Sequence, residues 1–268
     1  MNQWDMNQAL GLNQNKNVFF NAQWPAPASV HTLFTTRQGG VSQPPFNSLN
    51  VGAHVGDNAD AVQHNRALVQ QQVAKPLAYL NQVHSADVIN AVSALTALQS
   101  GAPADADASF CHRGESVACA IMTADCLPVL LCDRAGTVVA AAHAGWRGLA
   151  NGVLRNTVEA MQVNPLEILA YLGPAIGPEA FEVGTEVWEV FCLKQPKAQT
   201  AFTDIGNEHY LADIYALARL ALADAGVHQV YGGTECTVLQ RERYFSYRRD
   251  GKTGRMLSAI WLEKTAMD

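Results

Sequence analysis

The sequence predicts an α+β sandwich, and three observations predict it. Seven short apolar runs read as strands, and several are apolar on both faces, the pattern of strands covered from both sides. Three segments carry apolar residues at helical spacing. The two kinds of element are mixed without the regular alternation of a doubly wound sheet.

Taken in order, residues 1–24 hold six Asn and four Gln with neither a basic nor an apolar block, so they read as a poorly ordered polar lead-in rather than a secretory signal. Val30 to Thr35 is the first strand. Asp57 or Asn58 caps a helix running through Val69. Leu77 to Val83 is a second strand, and the Ala- and Ser-rich residues 91 to 104 read as a surface excursion. Val117 to Met122, Val129 to Cys132 and Val138 to Ala142 follow as strands, then a helix from about Leu149 to Met161 and a strand at Ile168 to Leu172. Leu211 to Ala225 is the best helix, with Ile214, Leu217, Ala218, Ala221, Leu222 and Ala225 on one face and Gly226 as its stop. Met256 to Leu262 is the last strand. No internal repeat or Pro/Ser-rich linker divides the chain, so residues 25–268 read as one domain.

Composition narrows the partners. Lys plus Arg is 18 against 24 for Asp plus Glu, and the net charge of -6 offers no bulk attraction to nucleic acid or anionic membranes. No apolar stretch is long enough to span a bilayer. The six cysteines show no Cys-x-x-Cys spacing, which fits free thiols in a reducing cytoplasm.

The segments that carry chemistry are Met122 to Asp133, with Asp125 and Cys126, and Ala140 to Gly148, with His143. In each an apolar strand meets polar, reactive residues, which is how a buried scaffold presents groups at its rim. An inert core thiol and a hydrogen-bonded core imidazole are the plain alternatives. The acid beside Cys126 and the glycine two residues after His143 favour exposure at a site. His84, at the end of another apolar run, is a third candidate. If the three strand ends converge they form an N/S/N set suited to Zn²⁺ with a fourth position open, although spacings of 42 and 17 residues match no short metal motif. Arg37, Arg248 and Arg249, beside glycines, form either an anion clamp or a solvated hairpin with Asp250-Gly251 as its turn.

These motifs resemble the YfiH family, the laccase-domain or "polyphenol oxidase" proteins associated with purine nucleoside phosphorylase activity. The resemblance runs through Thr-Arg-Gln-Gly-Gly-Val-Ser (36 to 42), Phe-Asn-Ser-Leu-Asn-Val-Gly (46 to 52), Gln-Val-His-Ser (82 to 85), Thr-Ala-Asp-Cys-Leu-Pro (123 to 128), His-Ala-Gly-Trp-Arg-Gly (143 to 148), Gly-Pro-Ala-Ile-Gly-Pro (173 to 178), Phe-Glu-Val-Gly (181 to 184) and Ser-Tyr-Arg-Arg-Asp (246 to 250). It implies a four-layer α/β/β/α sandwich similar to the cysteine deamidase domains of some bacterial toxins. It also implies a metal-binding catalytic triad of His84, Cys126 and His143, holding zinc or copper, with Arg37, Asp125 and Arg248 in the same pocket. The implied activities are phosphorolysis of adenosine, inosine, guanosine and methylthioadenosine, and deamination of adenosine.

Physical reasoning gives these residues roles. Arg37 and Arg248 would hold phosphate, and Asp125 would shuttle protons in deamination. A full multicopper oxidase is disfavoured because the eight histidines include no His-x-His pair, though one copper at the triad would allow weak polyphenol oxidation. The stronger rival is an amidase acting on peptidoglycan precursors, with Cys126 as nucleophile and His143 as base.

Overall fold

The computed structural model describes residues 18–263. Two large mixed sheets carry the fold. One has five strands in the order β1 (Phe19–Phe20), β2 (Val30–Thr35), β14 (Met256–Leu262), β6 (Ala118–Thr123) and β3 (Leu77–Ala78). The other has six, in the order β13 (Gln229–Gly232), β9 (Ile168–Leu172), β7 (Leu127–Asp133), β8 (Val138–Ala144), β5 (Ala108–His112) and β4 (Val88–Asn90). A small third sheet holds β10 (Glu182–Gly184), β12 (His209–Ala212) and β11 (Phe202–Gly206).

The helices are α1 (Ala59–Gln70), α2 (Ala91–Gln99), α3 (Trp146–Ala150), α4 (Val153–Met161), α5 (Thr185–Cys192), α6 (Ile214–Asp224) and α7 (Tyr247–Asp250). Side chains alternate across a strand, and that period explains why β7 is buried along its whole length. Its Leu130 and Cys132 meet Phe34, Ile121 and Ile260 of the five-stranded sheet in the central core. Its Leu127, Val129 and Leu131 face the other way, onto Leu154 of α4 and Leu222 of α6. On the far side of the five-stranded sheet, Val69 of α1 packs with Leu33 and Leu257. The order is therefore helix, sheet, sheet, helix, a mixed α+β fold with the layers that the family resemblance implies. Among the described residues no helix is long and apolar enough to cross a membrane.

Several elements differ from the sequence expectations. Of the lead-in, residues 1–17 lie outside the described residues, but Phe19–Phe20 pairs antiparallel with β2 and belongs to the sheet. The strand expected to reach Val83 stops at Ala78, because Gln82 bonds the Met122 backbone through both ends of its amide and the next three backbone N–H groups turn to a carboxylate. The helix expected over Leu149 to Met161 is two helices. Between them Gly152 adopts φ 92°, a left-handed conformation that breaks the spiral and that a side chain would resist. The expected excursion at 91 to 104 contains α2, capped by the Asn90 side chain and burying Ala91 and Ala94. Leu211 and Ala212 belong to β12, so the last long helix begins only after its Asp213 cap, and it stops at Gly226 as expected. The Arg248-Arg249 segment is the helical turn α7, capped by Ser246, rather than a hairpin.

Candidate metal and catalytic site

The three residues proposed to converge do so. His84 follows β3, Cys126 immediately precedes β7, and His143 lies near the end of β8, whose pairing with β7 sets Pro128 opposite His143. Their ligand atoms all lie within 4.8 Å of one another. Cys126 Sγ is 3.8 Å from His84 Nε2, and the two imidazoles meet edge to face with centroids 4.8 Å apart. His143 is buried, Cys126 half-buried and His84 exposed, so the cluster forms the floor of an open cavity. The cavity encloses about 340 Å³ and is lined also by His54, Gln82, Met122, Thr123, Ala124, Tyr247 and Arg255. None of these lining residues is acidic.

One residue that carries no sequence signal organises the cluster. Asp107, fully buried, accepts from His143 Nδ1 at 2.7 Å through Oδ1. The same oxygen accepts from the His84 backbone at 3.0 Å, while Oδ2 accepts from Val83 N at 3.2 Å and Ser85 N at 2.6 Å. A single carboxylate thus fixes the ring of one donor and the loop that presents another. Its hold on that loop keeps His84 at φ 62°, a left-handed value uncommon for a non-glycine residue. Because Nδ1 of His143 donates to Asp107, Nε2 is the nitrogen left for a ligand, the usual carboxylate and histidine arrangement behind a metal.

The backbone closes in from the other side. A Cβ on Gly145 would lie 2.9 Å from His84 Cδ2 and 3.0 Å from Cys126 Sγ, so only glycine leaves room for both donors.

Charge is shared across the donors. Burial alone would push the Cys126 thiol up, but His143 and then His84 outweigh it and bring the thiol down to about 6. Burial likewise works against the His143 imidazolium, and the Cys126 thiolate and Asp107 overcome it, raising His143 to about 9. Asp107, though buried, is held below the usual carboxylate range by the His143 and Ser85 hydrogen bonds. Both shifts favour the thiolate and imidazolium form of the metal-free pair. Two imidazole nitrogens and a thiolate at these separations fit a tetrahedral divalent ion with one position open, the donor chemistry of zinc and also acceptable to copper.

The other expected site residues stand off the cavity lining. Asp125, at φ 89°, directs its carboxylate to Thr237 Oγ1 at 2.6 Å, Ser246 Oγ at 3.1 Å and Arg248 N at 2.7 Å. It anchors residues 237–248 behind Cys126. Arg37 donates to the Asn47 and Arg241 carbonyls and lies over Phe245, clamping two loops together. Arg248 donates to the Ala180 carbonyl and faces Phe181. Arg255 and His54, by contrast, line the cavity: Arg255 ends the basic segment 245–255, of which the sequence favours Arg248 and Arg249, and His54 sits in no motif that marks it. All six cysteines are free.

A mixed α+β sandwich that brings two imidazoles and a thiol to one cavity floor defines a class of metal-capable proteins. Residues 31–263 match the family described as multi-copper polyphenol oxidoreductase laccase, and the chain belongs to that family. It is 54% identical over 243 residues to purine nucleoside phosphorylase YfiH of Escherichia coli (strain K12), covering 90% of this chain and 97% of that one. It is 49% identical over 248 residues to purine nucleoside phosphorylase PA4543 of Pseudomonas aeruginosa, covering 92% and 99% of the two chains. The crystal structure of Neisseria meningitidis protein NMB0706 superposes with a TM-score of 0.88 at 63% identity, covering 92% of this chain and 99% of that one.

Proposed function

We propose that the chain is a zinc-dependent purine nucleoside phosphorylase, cleaving adenosine, inosine, guanosine and methylthioadenosine to the free base and a pentose 1-phosphate. The observation that carries this reading is the convergence of His84, Cys126 and His143 on the floor of a cavity whose lining holds Arg255 and no carboxylate. Names given to relatives as much as 54% identical support the same reaction. In phosphorolysis a phosphate oxygen bonds to C1′ as the C1′–N9 bond breaks and the base leaves with the electron pair. An anionic co-substrate favours a cavity free of acids. When bound, the metal supplies positive charge and one open coordination position. His84, Cys126 and His143 would hold it, and Asp107 would keep the proton of His143 on Nδ1 and the His84 loop in place. A volume of about 340 Å³ is at the small end of small-molecule pockets, roughly 300 to 1,000 Å³, which suits one nucleoside.

Adenosine deamination at the same centre needs an acid beside the purine C6, as in zinc deaminases. Asp125 is engaged elsewhere, so we assign it to positioning Cys126 and rank deamination below phosphorolysis. A second reading draws support from one arrangement: Cys126, His143 and Asp107 are disposed as nucleophile, base and orienting acid, with the thiol brought down to about 6. That reading is an amidase, and it predicts activity that survives chelation, whereas the phosphorylase loses activity with its metal.

Mass-spectrometric product analysis of adenosine with phosphate, using zinc-loaded protein beside a Cys126→Ala control, tests the proposal. Adenine and ribose 1-phosphate formed only with Cys126 present are the expected products. Inosine would restore deamination, and unchanged adenosine at full zinc occupancy would overturn both activities in favour of the amidase.

A further inference from the structure

The cavity has a charged end that the metal reading does not use. Arg255 precedes β14, and its backbone N–H is fixed on Asn50 Oδ1 at 2.9 Å. Its Nη1 donates to the Thr253 and Gly254 carbonyls at 3.1 and 3.0 Å, which locks the direction of the fork. Among the described residues no carboxylate comes within salt-bridge distance of it, in contrast to Arg243 and Arg249, which pair with Glu235 and Asp250. A half-buried guanidinium held in one orientation, lining the same cavity as the three metal donors, lacks a close counter-charge. Burying a cation without a partner is costly, and a bound anion removes that cost.

The surroundings agree. Burial works against the charge of Arg255, and the groups that offset it are Cys126, Asp125 and Tyr247, reached through space rather than by contact. His54 shares this end, and burial, followed by Arg255 and Arg66, keeps it below the usual histidine range, so the fixed positive charge here is that of Arg255. Arg37 and Arg248, which a sequence argument would choose first, lie outside the cavity lining, whereas Arg255 lines it.

We propose that Arg255, with His54 beside it, is the anion subsite of the cavity and receives inorganic phosphate between itself and the metal donors. The choice of ligand rests on the phosphorolysis reading above; the subsite itself rests on the unpaired, oriented guanidinium. With Nη1 held by the two carbonyls, the Nε and Nη2 edge of the guanidinium is left to offer phosphate two parallel N–H groups, a geometry that a lysine ammonium cannot reproduce.

The test uses zinc-loaded full-length enzyme as wild type, Arg255→Gln, Arg255→Lys and Arg248→Ala, with inorganic phosphate as the probe. In Arg255→Gln the KM for phosphate should rise about 10- to 100-fold, the range for losing hydrogen bonds to a charged group. The KM for adenosine and the zinc content should stay near wild type, and Arg248→Ala should leave the phosphate KM unchanged. Arg255→Lys, which keeps the charge and guards against a misfolded Gln variant, should give the same selective rise to a smaller extent. A phosphate KM equal to wild type in a folded Arg255 variant, or equal rises for phosphate and adenosine, overturns the subsite. If wild type makes no pentose phosphate, the phosphorolysis reading fails on its own, and thermal melts then decide the subsite. Phosphate raising the Tm of wild type but not of Arg255→Gln sustains it; no shift in wild type overturns it.

Discussion

Asp107→Asn is the sharpest perturbation of the site, because it changes one atom of a fully buried group and leaves its volume alone. The four acceptances divide evenly: Oδ1 serves His84 N and His143 Nδ1, and Oδ2 serves Val83 N and Ser85 N. An asparagine has one oxygen, so its NH₂ faces two donors whichever way the amide lies. If the NH₂ replaces Oδ2, the loop presenting His84 loses both of those anchors. If it replaces Oδ1, His143 must carry its proton on Nε2, the nitrogen needed for a metal. Hydrogen bonds to a charged group contribute roughly 1.5 to 3 kcal/mol each, so two of them amount to about 3 to 6 kcal/mol before the loop relaxes. Changes behind a metal ligand lower metal affinity about 10- to 100-fold.

The assays are urea unfolding of metal-free protein and zinc titration against a competing chelator. Asp107→Asn should lose at least about 3 kcal/mol of stability, and its zinc affinity should fall by at least about tenfold. A variant that unfolds within about 0.5 kcal/mol of wild type, the scatter of ordinary surface changes, and binds zinc equally well would refute the reasoning that one carboxylate organises both histidines.

Two further outcomes follow from the same geometry. In metal-free protein the thiolate absorbance of Cys126 should titrate near pH 6, and His143→Ala should move that midpoint up toward the ordinary thiol value. Global stability should stay nearly flat across the same range. The His143 contribution is complete below its ordinary value of 6.5 and lost as pH rises through about 9, while the Cys126 contribution is complete above its ordinary 9.0 and lost as pH falls through about 6. The two slopes oppose each other because the proton has moved from sulfur to nitrogen with no change in net charge. A steep stability change between pH 6.5 and 9 that disappears in Cys126→Ala would count against the ion pair. Separately, Gly145→Ala should lower zinc affinity more than tenfold while costing about 1 to 3 kcal/mol of stability, the range for overpacking. Its new methyl meets His84 and Cys126 rather than the core. Wild-type zinc affinity in that variant would mean that the donors have room the structure does not give them.

Much of the fold was legible because its strands bury both faces. Val129 to Cys132 and Val138 to Ala142 are continuous apolar runs, and in the molecule they lie inside longer, fully buried strands. What could not be read was set by contacts distant in sequence. The strand through Leu77 ends early because Gln82 and Asp107 capture its continuation, and Asp107 lies more than twenty residues further on. Helix α2 hid in an Ala- and Ser-rich stretch because its buried face is built from alanines, which carry little hydrophobic signal. Of the short strands, β11 is largely exposed and β10 and β12 bury one residue each, so they lack the apolar runs that mark the others.

The site divides along the same line. His84, Cys126 and His143 stand where apolar runs end, and a residue whose chemistry is unusual for its place can be found without a structure. Their supports cannot, since a support is defined by the direction of its hydrogen bonds. Asp107 and Asp125 are both acids beside apolar runs, and sequence favoured Asp125 because it adjoins the thiol. The molecule uses them differently: Asp125 turns away to bind Thr237 and Ser246, whereas Asp107 turns inward to His143. The arginines follow the same logic. Arg37 and Arg248 are the residues that sequence favours but they lie off the cavity, while Arg255, which ends the same basic segment as Arg248, lines it. A cation serves an anionic ligand only where the fold withholds a close carboxylate from it. That condition is a property of the assembled cavity, and no stretch of sequence carries it.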